Sequence, residues 1–124
     1  MRYRLALGIA LLGCTWLGVA SAHHSFATFD THVTKTLVGT VKQMQWTNPH
    51  IWVEVLVKSP QTGQMEEWSI EGGSPNGLRR AGWKRTSIKE GDAIEITIHP
   101  LKDGSKGGSL MRVKVNGQPI GRRF

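Results

Sequence analysis

Between Leu37 and Lys58 the chain alternates apolar and polar residues with few breaks, LVGTVKQMQWTNPHIWVEVLVK. Ile51, Val53, Val55 and Val57 share one side of an extended backbone, and His50, Trp52, Glu54, Leu56 and Lys58 share the other. A period of two marks a strand with one face in a core, and β-branched residues favour that conformation. The pattern predicts antiparallel strands over 33–46 and 50–58, joined by Trp46-Thr47-Asn48-Pro49-His50, where Asn-Pro supplies the turn chemistry. Gly39 lies inside the first strand, where glycine is costly unless the strand bulges or bends. A long strand bent at a glycine is how a small sheet begins to close on itself.

The same reasoning extends along the chain. Ser59-Pro60-Gln61-Thr62-Gly63 is a turn, and 65–71 is a third strand with Trp68 and Ile70 on one face. Gly72-Gly73-Ser74-Pro75-Asn76-Gly77 is a loop, followed by a short helix over 78–83 capped by Asn76 or Ser74. Ile94, Ile96 and Ile98 alternate in a fourth strand, 93–99, that Pro100 is expected to stop. A flexible loop over 102–108 leads to a fifth strand, 110–115, with Met111, Val113 and Val115 on one face, and Asn116-Gly117 forms a tight turn. Five strands with a short helix between the third and fourth predict an all-β OB-like Greek-key barrel. An immunoglobulin-like sandwich needs about seven strands, and seven are not found.

Composition changes the picture at the start of the chain. Arg2 and Arg4, an apolar run and Ala20-Ser21-Ala22 read as a secretion signal over 1–22. The run is shorter than the roughly 20 apolar residues of a spanning helix. Leu11-Leu12-Gly13-Cys14 loosely resembles a lipoprotein cleavage box, the less favoured route. The expected organisation is a signal peptide over 1–22, a lead-in over 23–36 anchored by Phe26 and Phe29, and a barrel domain over 37–121. The mature protein is then periplasmic or secreted, with no transmembrane span. Cleavage after Ala22 removes the one cysteine, so a hydrophobic core and not disulfides must hold the domain. Losing Arg2 and Arg4 lowers the formal charge from +7 to +5. That balance suits anionic envelope surfaces or acidic ligands, and export argues against nucleic acid.

The chemistry centres on histidine. Cleavage after Ala22 leaves His23 with a free α-amine beside its own ring, a pair that chelates Cu(II). His24 adds a local donor, and His50 or His99 adds one from the barrel, each lying at a loop that frames ligands in OB-folds. Without metal, these histidines are solvated or bond backbone. A second site is a Trp52 platform beside Glu54 and Glu71, suited to an envelope glycan or a partner protein; alternatively Trp52 lies under Phe26 or Phe29. Glu54 and Glu67 are possible neighbours across the hairpin. Ser74, Asn76 and Arg79 belong to a glycine-rich loop that resembles an anion cradle but lacks the P-loop lysine, and a purely structural role for it is favoured. No nucleophile with an identifiable base is present, so no catalytic residue and no enzymatic activity are expected.

The blocks HHSFATFD, WTNPHIW, GSPNGLRRAGW and HPLKDGSKGGSL together resemble a family of short exported bacterial proteins known as a domain of unknown function. The resemblance spans nearly all of the mature chain. It implies secretion and a compact β domain, and it carries no known activity, cofactor or catalytic residue.

Overall fold

The computed structural model describes residues 26–121; the expected signal segment, Cys14, His23 and His24 lie outside them. Five strands form the barrel: β1 Lys35–Gln45, β2 Trp52–Lys58, β3 Met65–Glu71, β4 Ala93–Pro100 and β5 Gly107–Val115. A two-residue β6, Gln118–Pro119, pairs with the end of β5. Hydrogen bonding runs β3-β2-β1-β4-β5, and a parallel β3–β5 pairing closes the ring. This is a closed OB-like barrel with one short helix, α1 Pro75–Arg80, between β3 and β4.

Closure depends on β1 serving two partners. Its first half, Lys35 to Thr40, pairs with β4, and its second half, Gly39 to Gln45, pairs with β2. Gly39 and Thr40 therefore bond on both sides, at the point where the strand changes partner. A Cβ at Gly39 would collide with the Leu56 carbonyl oxygen, which explains the glycine. A bulge between Val41 and Gln43 adds further twist.

The alternating faces point where their periodicity predicts. Ile51, Val53, Val55, Trp68, Ile70, Ile94, Ile96 and Ile98 are all buried in one core. Leu78, Trp83 and Ile88 enter it from the α1–β4 connection.

Several boundaries differ from the sequence expectation, each for a local reason. β1 starts two residues later than predicted, because the backbone turns between Asp30 and Val33. β2 begins at Trp52, although the Ile51 backbone still exchanges hydrogen bonds with Gly72 and Gly73. The helix starts earlier, at Pro75 on a Ser74 cap, and Gly82 with φ +92° follows its end. Pro100 belongs to β4, where its carbonyl accepts from the Asp30 N–H. β5 begins at Gly107, so part of the expected flexible loop is the seam of the barrel. An irregularity in the β4–β5 pairing sets Leu110 opposite Ile98 and Arg112 opposite Thr97. Met111 thereby leaves the face it was expected to share with Val113 and Val115, and Leu110 packs on the core instead.

Candidate functional site

The β2–β3 hairpin sets Trp52 opposite Glu71, and the parallel seam sets Glu71 opposite Ser109. Ser109 in turn pairs with His99. Trp52, Glu71, Ser109 and His99 thus occupy one row across four strands. Glu71 and His99 flank Ser109, about 10 Å apart by the spacing of neighbouring strands.

His50, just before β2, turns its Nδ1 onto Glu71 Oε1 in an ion-pair contact. The Glu71 side chain is only 10% exposed, and its second oxygen, Oε2, is buried with no hydrogen-bond partner. His50 remains 41% exposed. Opposite it, His99 Nδ1 lies 2.8 Å from the Val33 carbonyl oxygen. A carboxylate and a carbonyl only accept, so Nδ1 carries the proton in both rings. In the neutral imidazole the lone pair is then on Nε2. Fixing one ring nitrogen on an acceptor so that the other can donate to a metal is the usual arrangement around metal-ligating histidines.

The lead-in meets the barrel beside His99. Phe29 is buried and bridges Leu101, the Asp30 N–H donates to the Pro100 carbonyl at 2.8 Å, and the Lys102 N–H donates to the Thr28 carbonyl at 3.0 Å. Among the described residues no three His, Cys, Asp or Glu side chains converge as a metal set. The expected ligands His23 and His24 lie outside those residues.

The remaining candidates are engaged locally. Glu54 Oε1 accepts from Ser69 Oγ at 2.8 Å, and half-buried Trp52 stands beside this pair. Glu54 does not face Glu67 across the hairpin: its partner is Ser69, and Glu67 pairs with Lys42 at 2.7 Å. Ser74 Oγ accepts from the Gly77 N–H as the helix cap. Asn76 Oδ1 accepts from Arg79 Nη1 at 3.2 Å, while the Arg79 guanidinium sits 5.7 Å from the centre of the Trp46 ring. The polar atoms of that loop are thus bonded within the loop and its own helix. The His50–Glu71 pair was missed by sequence reasoning, which treated Glu71 as an exposed acid. The signal was available: a hairpin that pairs Lys58 with Met65 sets Trp52 opposite Glu71 and brings His50 alongside it.

Comparison with known proteins agrees with this architecture. The mitochondrial single-stranded DNA binding protein Rim1 of S. cerevisiae superposes with a TM-score of 0.52 at 7% identity, covering 69% of this chain and 95% of that one. At such identity the likeness is one of fold. No curated protein sequence matches the chain. The family model described as "Family of unknown function (DUF6152)" matches residues 13–111, most of the chain. The protein thus belongs to the DUF6152 family, whose function is unknown.

Proposed function

We propose that this is an exported copper-binding barrel, in which the amine and ring of His23, with His24, hold Cu(II) together with Nε2 of His50 or His99. The observation that carries this reading is that both barrel imidazoles have Nδ1 occupied by an acceptor. Nitrogen donors of this kind suit Cu(II) above other divalent ions. The position of the lead-in supports the same assembly. Thr28 bonds to Lys102, three residues beyond His99, and His23 is five residues before Thr28. Five residues span up to about 17 Å, enough to reach the row. The test is a Cu(II) titration of the protein beginning at His23. One copper should bind, and α-amine acetylation or His23→Ala, each of which breaks the chelate, should weaken binding by about 100-fold, equivalent to about 2.7 kcal/mol. His50→Ala or His99→Ala should weaken it by a smaller factor. Equal affinity across all these forms rules the reading out.

A second reading rests on Trp52, half-buried beside the Glu54–Ser69 bond and Glu71. It makes the outer β2–β3 face a metal-free platform for an envelope glycan or a partner protein. Trp52→Ala then abolishes the ligand-induced fluorescence change, and His23→Ala leaves it intact. Nucleic acid fits this face poorly, because Glu54, Glu67 and Glu71 would oppose a phosphate backbone.

A further inference from the structure

The connection from β3 to β4, which includes α1, is strongly basic: it carries Arg79, Arg80, Lys84, Arg85 and Lys89, against Glu90 and Asp92 at its end. All five side chains are exposed. Three lysines elsewhere are neutralised by glutamates: Lys42 with Glu67 at 2.7 Å, Lys114 with Glu95 at 3.0 Å and Lys106 with Glu66 at 3.8 Å. Lys35, Lys58, Lys102 and Arg112, without ion pairs among the described residues, are scattered over separate elements. Among the described residues, none of the five has an ion pair. Arg79 lies on the Trp46 ring and bonds Asn76; both contacts leave its charge uncompensated.

Arg85 and Lys89 also line a cleft of about 300 Å³ against Gln43, Met44 and Trp46, with Glu90 as the one carboxylate in its wall. The Trp46 indole nitrogen is buried with no hydrogen-bond partner. Two cations against one carboxylate leave the cleft wall net positive, which suits a headgroup phosphate.

We propose that the basic stretch from Arg79 to Lys89 is a docking surface for an anionic lipid bilayer, with a headgroup phosphate seated between Arg85 and Lys89. Charge complementarity selects this occupant. Arg79, over the Trp46 ring, joins Arg85 and Lys89 around the same cleft, and Arg80 and Lys84 are exposed nearby in the chain, so an extended anionic surface meets more charge than a free phosphate does. The proposal is independent of the copper site, and chelator leaves the docking unchanged.

The test is co-sedimentation of the exported protein with vesicles of phosphatidylcholine containing 30% phosphatidylglycerol, against vesicles of phosphatidylcholine alone. Binding is expected only to the anionic vesicles and should fall as salt shortens the screening length. Each basic side chain near such a surface contributes about 1 kcal/mol, roughly five-fold. R85Q/K89Q is therefore expected to weaken binding about 25-fold by the same arithmetic. The equal-charge control K58Q/K102Q, on exposed lysines at the far end of β2 and in the β4–β5 loop, should change it by no more than about two-fold, because those charges lie outside the basic stretch. A thermal melt confirms that each variant is folded. Three results overturn the proposal: no preference for anionic vesicles, equal losses in both double variants, or displacement by millimolar inorganic phosphate at constant ionic strength. The last would assign the cleft to a free anion.

Discussion

Replacing His50 with alanine tests whether Glu71 is held as the structure indicates. The substitution removes the donor facing Glu71 Oε1 and leaves a carboxylate whose other oxygen is already buried without a partner. Removing one member of a fully buried ion pair costs about 3–5 kcal/mol. Here His50 is 41% exposed, so water enters the vacated space and screens the charge, while Glu71 at 10% exposure retains part of the penalty. A loss of about 2 kcal/mol follows, near the cost of an unsatisfied buried polar group. For a domain of this size that lowers the melting midpoint by about 8–16 °C. The assay is thermal and urea denaturation of the wild type, His50→Ala, Glu71→Gln and the double variant. The double variant should recover more than half of the His50→Ala loss, because a neutral amide is cheaper to leave without a partner than a charge. A His50→Ala variant within about 0.5 kcal/mol of wild type, or a double variant that sums both losses, refutes the pairing; only coupled neighbours depart from additivity.

Gly108→Ala should cost about 1–3 kcal/mol as overpacking, because a Cβ there meets the His99 carbonyl oxygen at 2.5 Å and Ile98 Cδ1 at 2.7 Å; chemical denaturation reads it, and an unchanged midpoint contradicts the close β4–β5 approach at this position. In the β4–β5 loop, the Ser105 hydroxyl and backbone N–H donate to Asp103 Oδ1 at 2.6 and 2.9 Å, holding that carboxyl below its usual value. Those hydrogen bonds are present above the ordinary aspartate range and are lost as pH falls through the lowered value. Ser105→Ala should move the titration of Asp103 upward in an NMR pH series, and an unmoved titration refutes the assignment.

The strands were legible because a half-buried sheet imposes a period of two, and Ile51 through Val57 and Ile94 through Ile98 obey it without exception. Gly39 stood out for a related reason, as a glycine inside an apolar strand, but the Leu56 carbonyl oxygen that excludes a Cβ there is set by the β1–β2 register and not by the local sequence. Gly107 and Gly108 were not, since a parallel pairing between β3 and β5 leaves no local pattern, and glycines beside Lys-Asp-Gly-Ser look like any loop. Met111 was misplaced because one extra residue in a strand reverses every side chain beyond it. His50 and His99 were singled out as candidates by type and position. Their Nδ1 acceptors depend on the register of separate strands and on a carbonyl in the lead-in, which spacing along the chain does not encode.

The copper account is tested most directly by native mass spectrometry of the exported protein after equilibration with one equivalent of Cu(II). It predicts a chain whose first residue is His23 and whose mass includes a single copper ion. A chain beginning at another residue, or one beginning at His23 that emerges free of copper, contradicts it.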